Sequence, residues 1–127
     1  MAKIEIDPKT VGQRLREERE MLELSREKFA EIIELSDYYV GQLERGERQM
    51  SLNVLVKIAN CLHISLDYLI FGQRTPPAYY THDAHSLYKT KETNEYEETK
   101  TLLHKCSSQE LKLVNKLLKT ILPYLRT

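Results

Sequence analysis

Four side chains able to read a pattern of hydrogen-bond donors and acceptors fall within six residues: Asp37, Tyr38, Tyr39 and Gln42. A carboxylate, two phenols and a carboxamide between them donate, accept and offer aromatic faces. Arg26 lies shortly before this group, and Arg45 and Arg48 lie just after it. Guanidinium groups suit phosphate oxygens. A short face that is polar, aromatic and flanked by arginine suits insertion into a DNA major groove.

To present that face, residues 25–46 must form two short helices around a tight turn. Ser25 can cap the first by accepting backbone N–H bonds. Phe29, Ala30, Ile32 and Ile33 give it an apolar face at helical spacing. Ser36 can cap the second, over about 37–44. Val40 and Leu43, three apart, form its inward side, and Gly46 offers a left-handed stop just beyond it. Asp37, Tyr38, Tyr39, Gly41 and Gln42 remain outside. Gly41 costs about 0.5–1 kcal/mol relative to Ala inside a helix. Close approach of DNA, or of the first helix of the pair, would explain it.

This stretch resembles the helix-turn-helix of the phage repressor and Cro-like (XRE-type) transcriptional regulators. The resemblance extends to residues 11–19 (VGQRLREER), 44–48 (ERGER), 51–59 (SLNVLVKIA) and 65–69 (SLDYL). It implies an all-α, five-helix repressor-like DNA-binding domain over about 8–72, with double-stranded DNA as partner. In such repressors base edges are reached from the first two residues after the cap and from the residue before the last apolar one. Here those are Asp37, Tyr38 and Gln42. Gln42 can bond adenine bidentately, a contact worth roughly 1–3 kcal/mol of discrimination. Tyr38 can offer its ring to a thymine methyl or its hydroxyl to a phosphate, and Tyr39 is placed for the backbone. Asp37 could accept from a cytosine amino group, but its place beside the cap favours a role at the helix N-terminus. Arg26 stands where the family often has a Gln that bonds phosphate and base, and would keep the phosphate contact. Arg45 and Arg48 lie in the following loop, also suited to phosphate. The family further implies an ion pair between Arg19 and Glu44. One departure is Glu34, where the family often has Gly for a left-handed turn. It implies either a different turn or a strain of about 1 kcal/mol or so.

Composition sets limits around this core. The 127 residues allow one domain with an extension. Charge is zero overall, yet ten Lys and Arg stand against thirteen Asp and Glu through Gly72, and nine against six thereafter. A domain at −3 needs its basic residues gathered on one face, because phosphate neutralisation supplies most of the affinity for DNA. Arg14, Arg26, Lys28, Arg45 and Arg48 are the candidates, with Glu17, Glu18, Glu20 and Glu23 of the first helix facing away. That acidic balance favours the competing reading, a protein-interaction module of the same fold, antagonist or antitoxin-like, without DNA binding. An enzyme is not indicated: no Ser/His/Asp, Cys/His or phosphate-loop pattern occurs at usable spacing. His82 and His85 have HxxH spacing, but His63 and His104 are distant, so no metal site and no cofactor is expected. Cys61 and Cys106 lack CxxC spacing and read as reduced thiols. No signal-peptide core and no membrane span is seen, which points to the cytoplasm.

In chain order, residues 1–7 form an arm and Asp7-Pro8 starts the first helix, with Val11, Leu15 and Leu22 inward. Ser51 caps a fourth helix whose Leu52, Leu55, Ile58, Ala59 and Leu62 face the core. Val54, Ile58 and Cys61 make a second apolar edge that the tail or a second subunit could cover, or that is only a wider core stripe. Ser65 caps a fifth helix ended by Gly72. Residues 73–94, with Pro76-Pro77, read as a linker. Residues 95–127 read as a helical extension, with a capping box at 107–110 and an apolar stripe of Leu111, Val114, Leu117, Leu118, Ile121, Leu122 and Leu125. So apolar a helix must pack on a partner helix or on the domain. Homodimerisation is the preferred expectation, folding back the alternative. No effector ligand is indicated.

Overall fold

The computed structural model describes residues 4–73 and 91–125, and the regular structure among them is entirely helical. Five helices come first: α1 (Pro8–Met21), α2 (Arg26–Ile32), α3 (Asp37–Glu44), α4 (Leu52–Leu62) and α5 (Leu66–Phe71). Then follow α6 (Lys91–His104), α7 (Ser108–Ile121) and a 3-10 turn at Leu122–Tyr124. Two compact units result: residues 1–74 with 118–127, and residues 75–117.

In the first unit every helix from α1 to α5 begins at a side-chain cap. Asp7 accepts from the Lys9 N–H at 3.1 Å and from the Thr10 hydroxyl at 2.6 Å, with Pro8 at the first helical position. The hydroxyls of Ser25, Ser36, Ser51 and Ser65 accept from the N–H groups of Lys28, Tyr39, Val54 and Tyr68 at 3.0–3.2 Å. Such a cap contributes about 1 kcal/mol. The helices close over one core of Val11, Leu15, Leu22, Phe29, Ala30, Ile33, Val40, Leu43, Ile58, Leu62 and Leu69. Helix α1 packs on α3, α4 and α5, and α2 on α3.

One expectation about α4 changes, and one left open, cover of its second apolar edge by the tail, is met. Leu52 is 71% exposed and not a core residue; as the first residue of the helix it lies beyond the edge of the packed layer. The second apolar edge is covered. Val54 and Cys61 join the same core, the 3-10 turn packs on α4, Pro123 is buried and Leu122 packs on the core. Burial pushes the Cys61 thiol up to about 11, which leaves it protonated and unreactive at neutral pH. Both cysteines are free.

The turn at Glu34 keeps the left-handed geometry of the glycine it replaces. Glu34 has φ 60°. The Leu35 N–H reaches the Ala30 carbonyl at 2.9 Å and the Glu34 N–H that of Glu31 at 3.2 Å, the paired bonds of a Schellman end. Of the two alternatives the sequence left open, a different turn is excluded and backbone strain is the outcome. Glu34→Gly is expected to stabilise the chain by about 1 kcal/mol, read as a rise of roughly 4–8 °C in Tm. A fall in Tm would show that the carboxylate makes a compensating contact.

In the second unit α6 begins at Lys91, inside the stretch read as linker to residue 94. Residues 74–90, including Tyr79, Tyr80, His82 and His85, lie outside the described residues. Ser107 and Glu110 form the capping box at the start of α7. The Glu110 N–H bonds the Ser107 hydroxyl at 3.2 Å and the Ser107 N–H bonds the Glu110 carboxylate at 2.8 Å. Hydrogen bonding from Ser107 to the carboxylate, that of its backbone N–H most, holds the Glu110 carboxyl below its usual range. Much of the α7 stripe is uncovered: Leu117, Leu118, Ile121 and Leu125 are 42–55% exposed. Pro123 ends α7 at Ile121, and the chain continues as the 3-10 turn. No helix among the described residues is long and apolar enough to cross a membrane.

Candidate nucleic-acid interface

Helix α3 is held from behind. Val40 and Leu43 are fully buried, and α3 packs on both α1 and α2. Its start is capped by Ser36. Its end is closed by Gly46, whose φ of 74° takes the left-handed conformation. The Gly46 N–H bonds the Leu43 carbonyl at 3.1 Å and the Glu47 N–H that of Gln42 at 2.9 Å. A Cβ on Gly46 would also meet the Lys9 backbone nitrogen at 2.7 Å, so position 46 is closed to larger residues on two counts.

On the outer side Tyr38 is 72% exposed. Asp37, Tyr39 and Gln42 are half-buried. Arg26 crosses from α2 to grip Asp37: its Nε and Nη2 donate to the two carboxylate oxygens at 2.6 and 3.1 Å. The hydrogen bonds from Arg26 hold the Asp37 carboxyl below its usual range. A depressed carboxylate pKa means the pair is present at neutral pH and is lost only on acidification through that lowered value. Asp37 is thus an inter-helix partner as well as a helix N-terminal residue, and Arg26 is oriented before any DNA arrives.

Gly41 is explained by the same group. A Cβ there would meet Nη1 of Arg26 at 3.0 Å and Nη1 of Arg45 at 3.0 Å. The missing side chain makes room for two guanidinium groups at the middle of the outer face. Of the two sequence alternatives, approach of the first helix of the pair is met in the structure, through the Arg26 side chain of α2. Arg45 also bonds Glu47 through Nε and Nη2 at 3.0 and 3.2 Å. The Arg48 guanidinium lies 5.8 Å from the centre of the Tyr39 ring, within cation–π range. The structure therefore draws Arg26, Asp37, Tyr39, Arg45 and Arg48 into two adjoining clusters around α3.

Arg14, a candidate for phosphate on sequence grounds, is committed elsewhere. Its Nη1 donates to the carbonyls of Leu69 and Ile70 at 3.2 and 2.9 Å and so caps the end of α5. Lys28 sits 3.7 Å from Glu31, and the nearby Tyr124 hydroxyl first and Glu31 second raise its pKa. Of the acidic residues expected to face away, Glu17, Glu20 and Glu23 are exposed and Glu18 is buried.

Behind the face, Arg19 and Glu44 meet in a two-pronged ion pair, Nε to Oε2 at 2.6 Å and Nη2 to Oε1 at 3.1 Å. Their side chains are 10% and 7% exposed. Arg19 Nη1 also donates to the Leu24 carbonyl at 2.7 Å. The pair fixes the C-terminal end of α3 to α1. Gly12, which sequence reasoning passed over, sits at the same contact: a Cβ there would lie 2.6 Å from the Glu44 carbonyl oxygen. Its only signal was a glycine one position after Val11 on a helix otherwise built for packing. Among the described residues no group of three His, Cys, Asp or Glu could hold a metal ion.

The Helix-turn-helix family model matches residues 15–69, from the middle of α1 into α5. Over 63 residues the chain is 35% identical to Control protein C.SmaI of Serratia marcescens, a match covering 50% of this chain and 75% of that protein. It is also similar, at 42% identity over 50% of this chain and 97% of the other, to the crystal structure of the restriction-modification controller protein C.AhdI from Aeromonas hydrophila, with a TM-score of 0.48.

Proposed function

The chain belongs to the XRE-type helix-turn-helix family of DNA-binding transcriptional regulators, and we propose that it represses transcription by laying the outer face of α3 in the major groove. The observation that carries this reading is the packing of α3: Val40 and Leu43 fully buried, Tyr38 open to solvent, and the guanidiniums of Arg26 and Arg45 both lodged over Gly41. Tyr38 and Gln42 contact base edges. Asp37 sets Arg26 for a phosphate, and Tyr39, Arg45 and Arg48 hold the backbone on the other flank. Gathering the arginines here offsets the acidic balance of the domain, because exposed charges farther away than about a Debye length, roughly 8–10 Å, are screened.

The chain acts in the cytoplasm by binding rather than by catalysis, as a homodimer on two half-sites about one DNA turn apart. Residues 1–72 read DNA, 73–94 link, and 95–127 carry the contact between copies through the exposed stripe of α7, the last residues of the segment being packed on their own domain. The uncovered leucines of α7 support that role, since a helix with a broad apolar stripe is stable in water only when covered. Sedimentation of the full chain should give a dimer, and charges at Leu113, also exposed on α7, and at Leu117 (Leu113→Asp with Leu117→Asp) should give a monomer of unchanged helicity. A dimer that survives both charges would remove the tail from the interface.

Selection of bound duplexes from a random pool tests the DNA reading. A preferred site should emerge, bound more weakly as salt rises. Gln42→Ala should weaken that site by about 1–3 kcal/mol and relax the choice at one base pair, with the salt slope kept. Arg48→Ala should lower the salt slope by about one and leave the preference unchanged. A pool that yields no enriched duplex at low salt would leave the interaction module as the better reading.

A further inference from the structure

Three residues other than glycine occupy the left-handed region among the described residues: Glu23, Glu34 and His63, at φ 57°, 60° and 55°. Each stands at the end of a helix, after α1, α2 and α4 in turn, where glycine avoids a steric cost. The ends are closed by bonds from Leu24 to Arg19, Leu35 to Ala30 and Ile64 to Ala59, at 3.2, 2.9 and 3.1 Å. Two of the three side chains reach the same stretch, residues 119–125, and the third borders it across a cavity. The His63 Nε2 lies 2.6 Å from the Leu122 carbonyl. The Glu23 carboxylate lies 3.6 Å from Lys119 Nζ. Glu34 lines a cavity of about 320 Å³ together with Ile32, Lys57, Pro123 and Leu125.

We propose that residues 119–125 form an intramolecular strap, seated on these non-glycine helix ends, that holds the turn leading into α3. The seat has apolar and polar parts. Pro123 is buried and Leu122 packs on the core. The His63 ring N–H donates to the Leu122 carbonyl, which also accepts from the Leu125 N–H at 3.1 Å, so the side chain joins a carbonyl already set by the 3-10 turn. Tyr124 lies near enough to Lys28 of α2 to raise the pKa of that amine. The strap therefore touches the ends of α1 and α4 and the body of α2. A glycine at 23 or 63 would relax the backbone but remove the side chain that reaches the strap. The turn at 33–36 is where this matters for DNA, since Ser36 caps α3. That last step rests on the proposed reading role of α3, whereas the strap itself does not.

A thermal cycle on the full chain tests the strap without DNA. Leu122→Asp with Pro123→Asp puts charge where the strap is buried and should unseat it. In that unseated chain His63→Gly should raise Tm by about 4 °C or more, because only the backbone relief remains. In the seated chain the same change should give no rise. Amide exchange at Leu24, Leu35 and Ile64 should quicken tenfold or more on unseating. If the double charge prevents folding, Leu122→Ala should give the same trend at smaller amplitude. An equal rise from His63→Gly in both backgrounds, or unchanged exchange at Leu35, would overturn the strap. Absence of DNA binding by the seated chain, with the thermal cycle as expected, would count against the reading of α3 and leave the strap standing.

Discussion

Glu44→Ala is expected to cost about 3–5 kcal/mol, enough to lower Tm by more than roughly 12 °C. The cause is what remains, not only what is lost. Arg19 is 10% exposed along its side chain and holds two bonds to Glu44 and one to the Leu24 carbonyl. Without the carboxylate, a buried guanidinium keeps a single neutral acceptor, and leaving a buried charge unpaired is the dominant penalty. Glu44→Gln should fall between, since one acceptor survives at similar volume. Replacing both partners, with Arg19→Met and Glu44→Leu, should recover most of the loss, because two apolar side chains need no compensation. Urea denaturation of the four proteins measures this, and a Tm for Glu44→Ala within a degree or two of the parent would show that the pair contributes nothing.

Features of the fold that depend on near neighbours were legible in the residues themselves, whereas the Arg19–Glu44 pair, between residues 25 apart, was expected only through the family resemblance, and other distant contacts were not legible. The serine caps and the capping box at 107–110 could be placed because each bond spans two or three residues and needs only a side-chain oxygen at the right offset. The inward pair Val40 and Leu43 followed from helical spacing. The Arg26–Asp37 grip joins residues eleven apart on two helices, and Asp37 could equally have been an N-terminal carboxylate. Arg14 looked like a free cation because nothing local marks the end of α5, 55 and 56 residues away, as its partner. Leu52 fitted the apolar period of α4, and only the extent of the packed layer shows that it overhangs. Gly41 was visible as an anomaly, and its cause needed two arginine side chains placed in space.

Gly12→Ala is the second large effect, and it runs against helix propensity. Ala for Gly within a helix ordinarily gains about 0.5–1 kcal/mol. Here the added methyl would stand 2.6 Å from the Glu44 carbonyl oxygen, 2.9 Å from its carbonyl carbon, and closer still to the Leu43 carbonyl oxygen. These are backbone atoms of α3 and cannot rotate aside as a side-chain terminus would. The helices must separate, and overpacking of a closed contact costs typically about 1–3 kcal/mol and occasionally more. The net expectation is a loss of about 2 kcal/mol or more at a site where propensity alone predicts a gain. Separation would also stretch the neighbouring Arg19–Glu44 pair and shift the face that bears Tyr38 and Gln42. Affinity for the selected duplex should therefore drop at temperatures where the variant is still folded. Gln13→Ala, one residue on and exposed, should stay within about 0.5 kcal/mol of the parent. A Gly12→Ala protein as stable as Gln13→Ala would mean that α1 and α3 do not approach this closely, and the rigid backing of the DNA-facing helix would have to come from elsewhere.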